Sequence, residues 1–458
     1  MDGGLLMKTV LLINPNEIRP PVAPLGLEYI ASFLSERGHN VVIYDMNIHE
    51  ESLSSVIENI IPNCVGISVR NIDDSCYATA EFFLDKVKAL VSEVKKKGIP
   101  VIMGGVGFSV MPHETLTYTG AHAGIRGDGE EVFENLISSG IRPEGIINAP
   151  PFNLKDFKPE RGFINNLFYY KKGGMAGIET TRGCNRKCIY CADPLAKGST
   201  VRFRSIESVT DEVQQLIGEG IVHYHLCDSE FNLSIEYTKS LCQALIDKGI
   251  GKRISWYAYG VPDVMDKELA SLLRKAGCSG INFGVDHIDD RMLAFLGKNH
   301  RYEDVKRAVK LCQEAGIKVM TDLLLGAPGE SLVSVKKAIE DMKRLNPYRV
   351  GTSYGLRIYP GTAFHEYLKH TGHQIPLSLL HPYFYVEDAI KEGLDEFIQE
   401  LIHGDERFYF NAKEESDQNY NYNANRVLED AIKAGFRGAF WDVLAMSQGK
   451  GQNNLPVK

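Results

Sequence analysis

Short apolar runs alternate with amphipathic stretches over the first 140 residues of the chain. The runs "TVLLINP", "NVVIYDMN", "CVGISV" and "PVIMGG" have the length and composition of buried strands. Between them, "PLGLEYIASFLSERGH" and the stretch from Ala78 to Lys97 space their apolar residues as an amphipathic helix does. Strands that alternate with helices predict a doubly wound, Rossmann-like parallel sheet, which binds its ligands at the carboxyl ends of the strands.

The alternation returns from Ala176 onward and predicts roughly six further strand–helix units. Its strand-like runs include "GIETT", "HYHLC", "ISWYAYG", "INFGVDH", "VMTDLLLG" and "GTSYGLRIY". Because a complete TIM-type barrel has eight such units, the pattern predicts a partial (β/α)6 barrel. Catalytic groups of such a barrel lie at the carboxyl ends of its strands.

Breaks in this pattern divide the α/β chain into four parts. The pattern weakens between residues 141 and 174, where prolines accumulate, and we interpret this stretch as a linker. After residue 375 the chain becomes helical and polar, and "EESDQNYNYNANR" is expected to be a solvated loop before a last amphipathic helix. The predicted parts are a Rossmann-like domain (1–140), a linker (141–174), a partial barrel (175–375) and a small, mainly helical segment (376–458).

Charge and hydropathy limit the partners of the chain. The formal net charge is −8, and the sequence has no basic stripe of the kind that binds phosphate backbones. No apolar run reaches the roughly 18 residues of a membrane span, and the N-terminus lacks a signal-peptide cleavage pattern. These features predict a cytoplasmic protein that acts on a small-molecule substrate and binds neither nucleic acid nor membrane.

Three of the nine cysteines lie within the stretch "RGCNRKCIYC". A structural zinc site normally uses four ligands in two separated pairs, a redox dithiol uses two cysteines, and an iron–sulfur cluster normally uses four thiolates. Three thiolates would leave one iron of a [4Fe-4S] cluster open to another ligand. The neighbouring Arg182, Arg186 and Lys187 are expected to lower the pKa values of the thiols. The remaining cysteines are expected to be small buried apolar residues: Cys64, Cys76, Cys227, Cys242, Cys278 and Cys312.

The spacing Cys184-x3-Cys188-x2-Cys191, with Tyr190 before the last cysteine, resembles the radical S-adenosylmethionine superfamily. The resemblance implies that the three cysteines bind a [4Fe-4S] cluster, whose open iron is chelated by the amino and carboxylate groups of S-adenosylmethionine. One electron from the cluster then cleaves this cofactor to methionine and a 5'-deoxyadenosyl radical. The resemblance further implies that Tyr190 lies near the adenine and that a one-electron reductant such as flavodoxin or ferredoxin is a partner.

Two later motifs match strand ends of the same family. In "CDSEFNLS", Asp228, Glu230 and Asn232 stand where the family contacts the amino group and ribose of S-adenosylmethionine. An acidic residue at a strand end is also commonly a helix N-cap, so this alternative stays open. In "INFGVDH", Asp286 stands where relatives carry the glutamate of a Gly-x-Glu-Ser pattern, and its shorter side chain reaches about one methylene less far.

The next strand end, "LLLGAPGE", matches the Gly-x-Pro-Gly-Glu turn of the family. Gly326 and Gly329 would let the backbone approach the adenine and methionine moieties, and they also suit an ordinary strand-to-helix turn. The run "RIYPGT" matches one further strand end.

The N-terminal half resembles the cobalamin-binding domain that is fused to some radical S-adenosylmethionine enzymes. No Gly-x-Gly-x-x-Gly follows its first strand, as a dinucleotide would require. Its glycines come later, at Gly104 and Gly105 and in the sequence from Gly127 to Glu130, which stands where the family reads Gly-Glu-Gly-Glu. The resemblance implies that these residues contact cobalamin. The Asp-x-His-x-x-Gly motif, which supplies a histidine ligand to cobalt, is absent, so any cobalamin would lack that ligand.

The run "VRNIDDSCY" after the third strand departs from the family, which has small or hydroxyl residues there. Its charged and polar residues would bind a polar substrate, occupy part of the cobalamin site, or belong to a solvated loop. The candidate substrate residues are Arg70, Asn71, Asp73 and Asp74.

The leading hypothesis is a radical enzyme that transfers a methyl group from cobalamin to an unactivated carbon of a small molecule. The alternative keeps the cluster without cobalamin and predicts a dehydratase, dehydrogenase, cyclase or epimerase that acts on a polar, sugar-like substrate. A non-catalytic iron–sulfur sensor is a third possibility, but it would need the thiols alone. The sequence assigns no catalytic residue.

Overall fold

The computed structural model describes residues 7–140, 142–410 and 425–448. A parallel sheet forms its N-terminal part, and the strand order is 2-1-3-4-5-6. The strands are Thr9–Asn14 (β1), Asn40–Asp45 (β2), Cys64–Ser68 (β3), Val101–Gly104 (β4), Ala123–Arg126 (β5) and Gly145–Asn148 (β6). The helices are Leu25–Glu36 (α1), Leu53–Ile60 (α2), Leu84–Lys96 (α3), Val106–Val110 (α4), Pro112–Thr119 (α5), Glu130–Ser139 (α6) and Asn166–Gly173 (α7).

Alternate residues of β1 belong to different hydrophobic cores. Leu11 and Ile13 pack with α2 and α3, whereas Val10 and Leu12 pack with α1 and α6. The period of two places successive side chains on opposite faces of the strand. Helices therefore cover both faces, and the predicted doubly wound sheet is confirmed.

A second, larger parallel sheet follows, with the strand order 17-14-13-12-11-10-7. Its strands are Ala176–Ile178 (β7), His223–Leu226 (β10), Ser255–Gly260 (β11), Cys278–Asp286 (β12), Lys318–Leu325 (β13), Arg349–Tyr354 (β14) and Phe408–Phe410 (β17). Short antiparallel pairs join Thr181–Arg182 (β8) to Arg202–Phe203 (β9), and Leu356–Arg357 (β15) to Phe384–Tyr385 (β16). The helices are Asp193–Lys197 (α8), Ile206–Gly218 (α9), Ile235–Asp247 (α10), Lys267–Lys275 (α11), Asp290–Phe295 (α12), Tyr302–Glu314 (α13), Leu332–Leu345 (α14), Ala363–His370 (α15), Leu394–Ile402 (α16), Arg426–Lys433 (α17) and Phe440–Gln448 (α18).

The predicted partial barrel is present, and the C-terminal segment adds β17 beside β14. The stretch expected to be a linker contains β6, which extends the first sheet, and α7. The three boundaries between the four predicted parts stay predictions. Almost all of "EESDQNYNYNANR" lies outside the described residues. Among the described residues, no helix is both long and apolar enough to cross a membrane.

The helix expected from Ala78 begins only at Leu84. The Asp74 carboxylate accepts hydrogen bonds from the backbone N–H groups of Cys76 and Glu81, each at 3.1 Å. Such side-chain bonds to the backbone compete with helix formation. They hold this segment in a turn, which the spacing of apolar residues does not reveal.

The last helix fills the amino-terminal end of the barrel. The Trp441 ring packs so closely on Gly280 that a Cβ atom there would lie 2.6 Å from it. Asp442 is buried, and its carboxylate pairs with the Lys318 ammonium at 2.7 Å and accepts a hydrogen bond from the Tyr257 hydroxyl at 2.7 Å. This end of the barrel is therefore closed by protein.

A buried ionic network joins the two sheets. The guanidinium of Arg161, which lies between β6 and α7, contacts Glu28 of α1 and Glu212 of α9, each at 2.6 Å. Arg204 pairs with the other oxygen of Glu212 at 2.5 Å, and the Tyr29 hydroxyl donates to Glu212 at 3.0 Å. These charged side chains are at most 1% exposed. The network fixes α1 of the first domain against α9 of the second.

Candidate functional site

The cysteine loop follows β8 at the carboxyl end of the second sheet. Its first turn requires Gly183, because φ is +97° and a Cβ atom would lie 2.3 Å from the Thr200 carbonyl oxygen. Cys184 is buried, and Cys188 and Cys191 are half-buried. Burial raises the pKa of each thiol, that of Cys191 to about 12. A metal must therefore displace protons before it binds the thiolates.

The three thiols interact electrostatically with one another, so they lie near one another. Within the described part of the chain, no three His, Cys, Asp or Glu side chains lie close enough together to hold a single metal ion. The cysteine ligands of a [4Fe-4S] cluster need not converge on one metal ion, because each of them binds a separate iron. The arrangement therefore fits a cluster better than a zinc site.

The three cationic side chains that neighbour the cysteines in the sequence pair with carboxylates or face solvent. Arg182 pairs with Glu130 at 2.9 Å, Arg186 pairs with Asp263 at 2.8 Å, and Lys187 is exposed. The expectation that these three residues lower the pKa values of the thiols is wrong, because their charge is used elsewhere and burial dominates.

Lys298, from the loop after α12, reaches the cysteine loop instead. Its ammonium lies 2.7 Å from Asp286 Oδ2 and 2.9 Å from the Gly284 carbonyl oxygen, and its charge favours the Cys188 thiolate. The Tyr190 hydroxyl donates to the same Asp286 carboxylate. Asp286 has a φ of +64°, which costs a non-glycine residue energy and is common at functional sites. Tyr190 and Asp286, both predicted, are thus brought together by a lysine that carries no motif.

The three residues predicted after β10 have different surroundings. Asp228 is buried and accepts from the backbone N–H groups of Thr180 at 2.7 Å and Thr181 at 2.9 Å. Asn232 is also buried, and its amide bonds the N–H and C=O of Val261 at 2.8 and 2.9 Å. Both side chains therefore stabilise the loops around the site, and their contacts with S-adenosylmethionine stay predictions.

Glu230 is the one of the three with a spare acceptor. Its Oε2 atom is buried and accepts no hydrogen bond from the described residues. Burial raises the pKa of this carboxyl to about 8, although the positive charges of Lys298 and Arg186 act to lower it. An incompletely bonded acid beside the cysteine loop is suited to the amino group of S-adenosylmethionine.

The "GAPGE" turn follows β13 with Gly326 at φ +91° and Gly329 at φ +80°. Glu330 fixes the turn, because its carboxylate accepts from the Gly326 N–H at 2.5 Å and contacts the His287 ring at 3.1 Å. The Gly329 N–H donates to Glu387 at 2.6 Å. A Cβ atom at Gly329 would meet nothing within 4 Å, which leaves that face open to a ligand.

A cavity opens at the carboxyl end of the first sheet, between the strands and helices α1 and α6. Gly104, Gly105, Gly127 and Glu130, all predicted here, line it. A Cβ atom at Gly104 would meet nothing within 4 Å and would project into open space. Glu130 is buried and bound by Arg182, so it joins the cavity to the cysteine loop.

The "RNIDD" residues divide into two pairs. Asp73 is buried against Arg357 at 2.9 Å, and Asp74 holds the turn before α3. Both charges are used inside the fold, and a role of Asp73 and Asp74 in substrate binding stays a prediction. Arg70 and Asn71 line a second cavity beside the first.

The barrel interior holds polar residues that the sequence motifs do not mark. Tyr259 keeps 39% of its surface accessible and lies on the face of β11 opposite Trp256 and Ala258, which pack under the helices. It therefore faces the space inside the barrel, which we call the chamber, and burial raises the pKa of its hydroxyl. His225 packs against it, with the pKa lowered to about 4 by burial and by Arg70, and is therefore neutral. Asn282 donates to Asp322 at 2.8 Å, and its own buried Oδ1 accepts no hydrogen bond from the described residues.

Arg70 connects this chamber to the first domain. Its guanidinium interacts electrostatically with Cys227 and Tyr259 inside the barrel. Cys227, predicted to be a buried apolar residue, is exposed to the chamber. Alternation along the strands could have identified these residues, because the members of β10 to β13 that do not face the helices must face inward.

Three features of these residues fit the implied cofactors. Three thiols without a fourth suit a cluster with an open iron, and the unbonded Glu230 oxygen suits the amino group of S-adenosylmethionine. The glycine-lined cavity can admit a bulky cofactor without a clash at Gly104.

Comparisons with known proteins support this assignment. Residues 178–342 match the family model of the radical SAM superfamily, and residues 13–137 match that of the B12 binding domain. Tryptophan 2-C-methyltransferase of Streptomyces laurentii is 30% identical over 436 residues, which span 77% of this chain and 73% of that protein.

Solved structures of TsrM, a radical S-adenosylmethionine methyltransferase from Kitasatospora setae, share the fold. The form with tryptophan and a SAM analog bound has a TM-score of 0.89 and 27% identity, over 97% of this chain and 99% of that chain. The form with cobalamin and a [4Fe-4S] cluster bound has a TM-score of 0.85 and 24% identity, over 98% and 100%.

These matches confirm the predicted fold class, the enzyme class, and the three cofactors: a [4Fe-4S] cluster, S-adenosylmethionine and cobalamin. They support methyl transfer to carbon over the cobalamin-independent alternative. Three thiols at the end of one sheet and a glycine-lined cavity at the end of the other, together with these relatives, place the chain in the cobalamin-dependent class of the radical S-adenosylmethionine superfamily.

Proposed function

We propose that this enzyme methylates a carbon of a small aromatic substrate that carries a ring N–H, of which tryptophan is the first example to test. The observation that carries the proposal is the polar chamber inside the barrel, which Arg70 of the first domain adjoins. A substrate there lies between the cysteine loop and the cobalamin-binding domain. When bound, cobalamin supplies the methyl group, and the cluster with S-adenosylmethionine supplies the radical chemistry.

The chamber residues match an aromatic N–H donor. The buried Asn282 Oδ1 atom and the Tyr259 hydroxyl offer hydrogen-bond acceptors, and the rings of His225 and Tyr259 offer flat aromatic surfaces. A buried acceptor without a partner costs about 1–3 kcal/mol, which a substrate N–H would recover. The related Kitasatospora setae protein binds tryptophan, and the related Streptomyces laurentii protein is named for methylation of tryptophan at carbon 2.

The reaction also needs an electron source. We propose a flavodoxin or ferredoxin as the one-electron reductant.

An anaerobic assay with S-adenosylmethionine deuterated in its methyl group tests the proposal. The reconstituted enzyme is expected to transfer the labelled methyl group to tryptophan more readily than to 1-methyltryptophan, which lacks the ring N–H. Product mass and fragmentation locate the label. Enzyme that holds both the cluster and cobalamin, yet labels no aromatic amino acid, would rule out this substrate class.

Tyr259→Phe is expected to lower kcat/KM for the substrate roughly tenfold, because a lost hydrogen bond in a buried site costs about 1.4 kcal/mol. Cluster content and cobalamin content should stay unchanged. The matched control is Tyr302→Phe on the outer helix α13, which should behave as the unaltered enzyme does. Equal kinetics in both variants would place the substrate elsewhere.

Gly104→Leu is expected to reduce retention of cobalamin roughly tenfold, because the new side chain projects into the cavity at the end of β4. Visible absorption after gel filtration measures the retained cofactor. Gly218→Leu at the end of α9 is the matched control, since its Cβ atom also meets nothing within 4 Å but lies outside the cavity. If both variants retain cobalamin equally, the cavity does not bind it.

A further inference from the structure

The buried ammonium group of Lys298 lies beside the cysteine loop. It donates to the Gly284 carbonyl oxygen at 2.9 Å and lies 2.7 Å from Asp286 Oδ2. The Leu296 carbonyl oxygen of the same loop accepts from the Ile189 N–H, next to Cys188, at 3.0 Å, and the ammonium charge favours the Cys188 thiolate. The Lys298 side chain is only 8% exposed. The position of this charge relative to the sulfur is therefore fixed by the fold.

This contact distinguishes Lys298 from the basic residues that flank the cysteines. Arg182 and Arg186 are each paired with carboxylates, and Lys187 points into solvent. Their charges are largely neutralised or screened by water. Lys298 is also paired with Asp286, but its charge acts on Cys188 as well, which is one of the three predicted cluster ligands.

A buried cation at a ligand sulfur changes the energy of the two redox states unequally. The cluster gains one negative charge when it accepts an electron from an external one-electron donor. A buried ammonium beside the cluster stabilises the more negative state more strongly, and the low dielectric of a buried site increases the difference. Charge and solvent exposure around a cluster are among the factors that set its potential.

We propose that Lys298 is a positioning residue that raises the reduction potential of the cluster through its buried charge beside Cys188, and that Asp286 moderates this effect. The carboxylate holds the ammonium in place and opposes its charge. The proposal predicts shifts of opposite sign for the two side chains. If either residue had a purely structural role, the two substitutions would not be expected to shift the reduction potential in opposite directions.

The test is a redox titration of the reconstituted cluster in the absence of S-adenosylmethionine, with the reduced state followed by electron paramagnetic resonance. Lys298→Met is expected to lower the ratio of reduced to oxidised cluster at a fixed potential at least about tenfold, which corresponds to a midpoint about 59 mV more negative. Asp286→Asn should shift the midpoint to a more positive potential. Lys298→Arg should restore much of the original value.

Lys187→Met is the matched control, because it removes the same charge from the residue that precedes Cys188 but from a side chain exposed to solvent. Its midpoint should differ little from that of the unaltered enzyme. An unchanged midpoint in Lys298→Met, or an equal shift in Lys187→Met, would overturn the proposal. If Lys298→Met fails to assemble a cluster, the comparison is made between Lys298→Gln and Asp286→Asn. Midpoint shifts of the same sign in these two variants would also overturn the proposal.

Discussion

Methyl transfer should fall to background when Cys188 is replaced by Ala, and the same result is expected for Cys184→Ala and Cys191→Ala. Each change removes one of three thiolates, and two thiolates do not hold a [4Fe-4S] cluster firmly. Iron and sulfide analysis should show the loss directly, and electron paramagnetic resonance of the reduced protein should show no cluster signal. Cobalamin binding should persist, because its cavity belongs to the other sheet.

Cys242→Ala provides the matched control for these variants. Cys242 is buried on helix α10 in the core of the second domain. Its removal costs packing but no ligand, so iron content and turnover should be retained. A cysteine-loop variant that kept full cluster content would contradict the assignment of the three thiols.

Arg161→Met should destabilise the protein by about 3–5 kcal/mol, because it leaves Glu28 buried without its cation and removes one of the two cations that pair with Glu212. The measurement is the free energy of unfolding from urea denaturation, followed by far-ultraviolet circular dichroism. This effect should exceed that of any surface substitution, since most of those change stability by less than about 0.5 kcal/mol.

Lys158→Met is the control for this prediction. Lys158 pairs with Glu207 at 3.2 Å, but the two side chains are 57% and 69% exposed. Exposed ion pairs contribute about 0–1 kcal/mol, so its unfolding curve should nearly match that of the unaltered protein. If Arg161→Met were equally mild, the network would not hold the domains together.

The sequence predicts those parts of the protein that depend on local pattern. Apolar alternation predicted both parallel sheets. The motif of Cys184, Cys188 and Cys191 carried the family resemblance that implied the cofactors, because ligands of one loop must be close in sequence. Motifs also singled out Tyr190 and Asp286, which are in contact, while their roles at S-adenosylmethionine stay predictions. These predictions need no knowledge of which distant segments meet.

Contacts between distant segments were out of reach. Lys298 approaches Cys188 from a loop more than one hundred positions later, and nothing in "GKNHR" indicates that it does. Asp73 resembled a substrate residue because its partner, Arg357, lies in the other domain. Whether a polar residue near a predicted site binds a ligand or stabilises the fold can therefore be decided only when its partners are known.

The closed end of the barrel has a consequence for biosynthesis. Trp441 and Asp442 belong to the last described helix, so the ribosome makes them after both sheets and after the cysteine loop. N-terminal segments generally fold first during synthesis. A nascent chain thus carries the cysteine loop and the glycine-lined cavity while water can still enter the barrel from below. Arrival of this helix completes the wall at the amino-terminal end of the barrel, so the barrel interior closes only after both sheets have been made.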